Sequence, residues 1–269
     1  MPRRAPTKRV LPTRPTDAHS AALLSSLTAT HLYMLKVAIQ QASTTEELRA
    51  TFRNAMRAYP GAAAGGAEKH LDKLFAQGFR RGARGAGAQH LDAGDKQALE
   101  WLKTNPVGFL SSLGSFGQSE ARWLDQHLPA GTPLDEAKVV VASRAAAAAY
   151  KLERVVQTDR QKASALGRLL AWRDDPQRDA YFYGWFPLHD DREKDVSLLF
   201  ERRNPMTYWQ LRKTFEVDHV VPKMVTNRKT GRREAQVSAY NCRCDVARWP
   251  KSRGQLVREG LLSATDAAA

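Results

Sequence analysis

The side chains best equipped for chemistry gather in the last third of the chain. Cys242-Arg243-Cys244 sets two thiols one residue apart, and on an extended segment side chains i and i+2 point the same way, so both sulfurs would be presented together. That is half of a zinc site, which needs two further ligands. His189 and His219 are the histidines nearby, and neither belongs to a Cys-x-x-Cys or His-x-x-x-His pair. A mutual disulfide at this spacing would be badly strained. Reduced, buried packing cysteines are therefore expected, with no metal and no cofactor.

Asp218-His219-Val-Val-Pro222 resembles the opening of an HNH nuclease motif, in which a histidine activates water for attack on a phosphodiester and a neighbouring acid helps to hold a metal. Asn241 falls where a central asparagine of that motif would lie, but no terminal His or Asn follows the cysteines at a helical offset. A metal-dependent nuclease using Asp218 and His219 is thus the alternative reading, and a non-enzymatic role ranks first. His189-Asp190-Asp191-Arg192, followed by Glu193, Lys194 and Asp195, alternates in sign as surface ion pairs on a solvated turn do.

Four basic pairs remain: Arg202-Arg203, Arg212-Lys213, Arg228-Lys229 and Arg232-Arg233, interleaved with Tyr208, Trp209 and Tyr240. Arginines and lysines in such clusters contact phosphates strongly and without regard to base sequence. The whole chain of 269 residues carries 42 basic and 28 acidic side chains, a formal net charge of +14. Residues 201–260 hold fourteen of the basic ones and six of the acidic ones. A basic face is expected there, with double-stranded DNA as its natural partner. The aromatics are expected to be core.

These residues need elements to position them. Residues 1–20 combine Pro2, Pro6, Pro12 and Pro15 with five Arg or Lys and read as a flexible basic arm. Residues 21–130 read as a helical region. Leu23, Leu24, Leu27, Leu32, Leu35 and Ile39 recur at three and four, Ser43-Thr-Thr-Glu46 signals a second helix, and Pro60–Gly66 reads as a punctuating loop before Leu71, Leu74, Phe75 and Phe79. Gly78–Gly94, with Arg80, Arg81 and Arg84, reads as a mobile loop, and helices are expected over Asp95–Lys103 and Gln118–His127. A boundary is placed near residue 130, at Pro129-Ala-Gly131.

Asp135–Leu170 has high helix propensity throughout, as one long helix or a broken pair, with Val139, Val140, Leu152, Val155, Val156, Leu166, Leu169 and Leu170 as buried positions. Beyond Asp174-Asp-Pro176 come short elements around an aromatic core of Tyr181, Phe182, Tyr183, Trp185, Phe186, Tyr208, Trp209, Phe215, Tyr240 and Trp249. Val217–Val225 and Ala235–Ala247 are strand-like, and Asn227-Arg-Lys-Thr-Gly231 is the turn of a small β-hairpin. Residues 251–269 form a C-terminal tail. The fold class is α+β, predominantly helical, with a helical N-terminal region and a small mixed C-terminal domain. No run of eighteen apolar residues is present and no signal-type apolar block follows the basic N-terminus, so no membrane is expected and the host cytoplasm is the expected place of synthesis.

The order of Arg154-Val-Val-Gln-Thr158-Asp159, Gly167, Trp185, Asp191-Arg192 and the closing Asn241-Cys242-Arg243-Cys244 resembles the phage Mu F-like minor head, or head-morphogenesis, family over about residues 131–250. Arg154, Thr158, Asp191, Arg192, Asn241, Cys242, Arg243 and Cys244 carry that resemblance. Ala239-Tyr240 stands where the family has a His-Pro-type pair, and Asp195 where it has a histidine. The resemblance implies a minor capsid protein of a tailed phage, held inside the procapsid near the portal vertex among other head proteins and touching packaged DNA. Such a protein needs no catalytic residue. An assembly adaptor whose basic face meets an acidic protein surface is the remaining reading.

Overall fold

The computed structural model describes residues 18–83, 97, 100, 108–187, 195–218, 220–236, 244–261 and 263. The chain is α+β and predominantly helical, with two small antiparallel sheets in its C-terminal part. It divides into two compact units, one of residues 18–74 with 108–160, the other of 75–83 with 161–263. The basic arm before residue 18 and the helix expected over Asp95–Lys103 lie outside the described residues, except that Gln97 and Glu100 are helical.

The helical unit is built from α1 (Ala18–Gln41), α2 (Thr45–Ala83), α3 (Phe109–His127) and the start of α4 (Leu134–Arg173). On α1 the buried stripe is Leu23, Leu27, His31, Leu35 and Ala38, so Leu32, expected inside, faces solvent with Tyr33. By length and composition α1 is apolar enough to cross a bilayer, something the missing eighteen-residue run conceals, because Ser, Thr and His interrupt a segment that is still apolar on average. In the fold its stripe packs into the unit's core.

Helix α2 starts one residue later than the cap signal suggests. Glu47 accepts from the Ser43 and Thr44 amides at 2.8 and 3.2 Å, and the Thr44 hydroxyl accepts from the Glu47 amide at 3.1 Å, a capping box on Thr44. It then runs straight through Pro60–Gly66, which is helix and not a loop, and on through Gly78 to Ala83, where a mobile segment was expected. The physical reason is the unbroken buried stripe Phe52, Met56, Tyr59, Ala63, Ala67, Leu71 and Leu74.

Pro60 has no N–H for the Met56 carbonyl four residues back. That carbonyl faces Gly117 of α3, where a Cβ would lie 2.2 Å from the Met56 oxygen. The proline leaves this acceptor without its helical donor, and the side-chain-free Gly117 lets the two backbones come together there. Tyr59 closes the same layer, donating its hydroxyl to the Leu27 carbonyl at 2.9 Å.

Helix α3 begins at Phe109, nine residues before the expected Gln118. The turn at Pro129–Gly131 joins two helices of the same unit, because Ala137 and Val141 of α4 pack with Leu35, Phe52 and Leu128. The division between units falls inside α4, which is one continuous helix of 40 residues. Val139 is 67% exposed while Ala137 and Val141 are buried, so the first turns are rotated from the expected phase; Leu152, Val155, Val156, Leu166, Leu169 and Leu170 are buried as expected.

In the C-terminal unit β1 (Tyr181–Phe186) pairs antiparallel with β4 (Asp245–Ser252), with Trp185 opposite Val246 and an irregularity between Tyr181 and Tyr183. The far side of β1 is also satisfied. Tyr183 and Met206 exchange both backbone hydrogen bonds at 2.8 Å. The Asn204 side chain accepts from the Trp185 amide at 2.9 Å and donates to its carbonyl at 2.8 Å. Residues 204–206 thus serve as a third strand, one rung of which is an amide side chain.

Trp185 packs against Phe200 of α5 (Asp195–Glu201) and Phe215, and Tyr183 against Trp172 and Tyr208. Phe182, Tyr183, Trp185, Tyr208 and Phe215 are buried as expected, joined by Phe200 and Trp172, but Trp209, also expected inside, is 52% exposed because Tyr208 and Leu211 take the inward face of α6. Arg168 of α4 donates to the Val246 carbonyl at 2.8 Å and pairs with Asp245, clamping the end of β4. The sequence places a strand over Val217–Val225. Thr214–Asp218 is instead a π-helical turn extending α6 (Tyr208–Lys213), and β2 (Lys223–Thr226) starts later and pairs with β3 (Arg233–Gln236). The C-terminal tail contains α7 (Arg253–Arg258), opened by a Ser252–Gln255 capping box.

Candidate nucleic-acid interface

The β2–β3 hairpin presents the densest group of cations. Its strands align Thr226 with Arg233, and the turn between them closes through Asn227, which donates to the Arg232 carbonyl and takes the Gly231 amide at 2.8 Å. The Asn227 side chain accepts from the Lys229 and Thr230 amides, and Gly231 sits at φ +69°, the left-handed backbone that a glycine adopts without strain. This fixed turn holds Arg228, Lys229, Arg232 and Arg233 on an exposed tip.

Asp195, at the start of α5, latches the hairpin in place. Its carboxylate pairs with the Arg228 guanidinium, accepts from the Arg228 amide at 3.3 Å and takes a 3.4 Å bond from Gln236, whose own oxygen accepts from the Val196 amide. Arg228 therefore has a structural task. Arg232 and Arg233 have no carboxylate within ion-pair distance among the described residues.

The other basic pairs divide in the same way. Arg203 pairs with Asp218, and Arg212 with Glu216 at 2.9 Å one turn on; Arg202 and Lys213 are exposed and have no ion-pair partner among the described residues. Arg203 and Arg212 are thus engaged with partly buried carboxylates, whereas Arg202 and Lys213 stand open to an outside anion. Within residues 161–260 the sequence has twenty basic and thirteen acidic side chains. Residues 161–260 are thus basic by seven, one less than residues 201–260 alone.

Asp218 is the residue that the nuclease reading needs as a metal ligand. Burial pushes its carboxyl up, but hydrogen bonds and charge from Arg203 and Lys223 outweigh that and hold it below the usual carboxylate range. One of its oxygens accepts from Arg203 and the other from Lys223 at 3.0 Å, so both already carry a cationic partner. Its partner His219 lies outside the described residues.

Of the residues that carry the Mu F-like resemblance, Arg154 is exposed and Thr158 buried on α4, in the part that belongs to the helical unit. Cys244 is buried and borders a hole of about 10 Å³ together with Lys162, Trp185 and Phe215, room for no more than one water. Asp191, Arg192, Asn241, Cys242 and Arg243, with His189 and Tyr240, lie outside the described residues.

Three contributors were not marked by sequence reasoning. Asp195 was read as one charge in a solvated run, Lys223 as an ordinary strand residue, and Arg178 was not singled out. Arg178 stands 4.9 Å from the centre of the Trp209 ring, which is itself exposed. Comparison of the chain with protein-family models, with curated proteins and with solved structures finds no match.

Proposed function

We propose that this protein is a minor structural component of a tailed-phage head, incorporated in the procapsid near the portal and contacting packaged double-stranded DNA without sequence preference. The observation that carries the reading is the fixed hairpin tip, where Arg232 and Arg233 stand exposed beside Arg228 and Lys229. A two-stranded ribbon with a cationic end suits the phosphate backbone of a duplex, because its backbone is already set by the Asn227 turn and the Asp195 latch. The resemblance in residues 154–244 supplies the phage-head context. Asp218, neutralised by two cations, lends no weight to metal-assisted phosphodiester chemistry.

Titration of the purified chain with a mixed-sequence duplex over a salt series tests this. Affinity falls linearly on a log–log plot, and changing Arg228, Lys229, Arg232 and Arg233 together to alanine weakens binding equally for every sequence. Absence of binding at low salt, or affinity indifferent to salt, contradicts the proposal. A pull-down with a portal protein in the presence of nuclease separates direct protein contact from bridging by DNA.

A further inference from the structure

We infer that α6 and the groove beside it take an unpaired DNA strand, with the sugar-phosphate chain passing Arg203 and Lys213 and a base stacking on Trp209. The inference rests on the DNA-contacting reading above and adds a second mode of contact at a different face of the same unit.

The groove is open to solvent and offers about 520 Å³. That lies within the roughly 300–1,000 Å³ typical of sites for ligands of nucleotide size. Its polar lining consists of Arg203, Gln210, Lys213, Thr214 and Asp218. Asp218 is the one carboxylate there, and Arg203 and Lys223 occupy its two oxygens, so the balance around the groove is positive. Arg203 has five N–H donors in all, which leaves some for a phosphate beside Asp218 and Thr214. Lys213 is exposed.

Trp209 supplies what a phosphate site alone does not require. It is 52% exposed, an unusual state for so large an apolar ring. It is also held in place: Tyr208 meets it edge-on at 5.0 Å, and the guanidinium groups of Arg178 and Arg212, paired with Asp179 and Glu216, lie over the ring at 4.9 and 5.8 Å from its centre, so a stacking base takes the place of one of them. Lys213 follows Trp209 by four residues, one helical turn along the same face of α6, so ring and ammonium line one side of the helix. A basic groove next to a presented aromatic ring is the combination that binds single strands, since every base has a π-face and a duplex keeps those faces stacked internally.

Fluorescence anisotropy with a labelled short oligo(dT) and a duplex of equal length, on the full chain at low salt, tests it. Trp209→Ala weakens oligo(dT) binding by roughly tenfold and duplex binding by less than about twofold, while Trp209→Phe, which keeps a stacking face, stays within about threefold of the parent. Lys213→Ala lowers the salt slope for oligo(dT) by about 0.7. Unchanged oligo(dT) affinity in Trp209→Ala overturns the inference, as does an equal loss for both forms of DNA. If the parent chain binds duplex but no single strand, only this inference fails; if it binds neither, the head-protein reading fails with it.

Discussion

Glu120 offers the sharpest energetic prediction in the molecule. Its side chain is fully buried on α3 and receives a bidentate pair of 2.8 Å bonds from Arg144 and a 2.9 Å bond from Lys151, which also reaches Ser119 at 2.7 Å. Burial alone would raise its pKa, yet the bonds from Arg144 and Lys151 hold it below the ordinary value, so the buried form is the anion. Glu120→Gln keeps the shape and removes the charge. Arg144, only 10% exposed, is then left without its counter-ion, whereas Lys151, 35% exposed, can turn to water.

Breaking a buried pair by removing one partner costs about 3–5 kcal/mol. Arg144 keeps its place over the Trp123 ring, 4.6 Å from the centre, which offsets part of the loss and puts the expected effect near the lower end, at about 3 kcal/mol. With a urea m-value of about 2 kcal/mol/M, the unfolding midpoint followed by far-ultraviolet circular dichroism moves down by roughly 1.5 M. The double variant Glu120→Leu with Arg144→Met removes both charges and lies within about 1 kcal/mol of the parent. A single variant as stable as the parent, or a double variant worse than the single one, refutes the claim that an uncompensated charge is what costs stability here.

Two further predictions concern the same unit. Burial holds His31 neutral and lowers its pKa from 6.5 to about 4, with Glu120 raising it and Arg144 lowering it by smaller amounts. The histidine contribution to stability is therefore complete above pH 6.5 and is lost as pH falls toward 4, by up to about 3 kcal/mol, because the unfolded chain takes up the proton first. Urea midpoints at pH 7 and pH 4.5 measure this, and His31→Gln flattens the difference; an unchanged slope in that variant argues against it. Gly117→Ala forces a methyl group onto the Met56 carbonyl and destabilises by about 1–3 kcal/mol, whereas Gly114→Ala, with open space at its Cβ on the same helix, stabilises by about 0.5–1 kcal/mol. Thermal melts of the two variants decide it, and equal effects contradict the close crossing of α2 and α3.

The fold class, the long α4, the aromatic core and the Asn227–Gly231 hairpin turn were legible because each rests on local chemistry: helix propensity, a cluster of large rings, and an Asn and a Gly at positions that need them. The errors have a common origin. Pro60-Gly61 and Gly65-Gly66 carry strong local signals for a loop, and tertiary packing of Ala63, Ala67 and Leu71 overrides them. The phase of α4 at Val139 was misread because alanines at 137 and 148 do the packing, and alanine is a weak marker of a buried face. The ion pairs that occupy Arg203, Arg212 and Arg228 join residues 4 to 33 positions apart, and only Arg212–Glu216 has the spacing of one helical turn. The division between paired and unpaired cations thus emerges only in three dimensions.

That division permits the most direct test of the account, a comparison of salt slopes for duplex binding between Arg232→Ala/Arg233→Ala and Arg203→Ala/Arg212→Ala. The hairpin variant is expected to lose about 1.8 from the log–log slope, near 0.9 for each phosphate contact, and the variant of carboxylate-paired arginines distinctly less. An unchanged slope in the hairpin variant, or a larger loss in the other, would contradict the placement of the DNA-contacting surface.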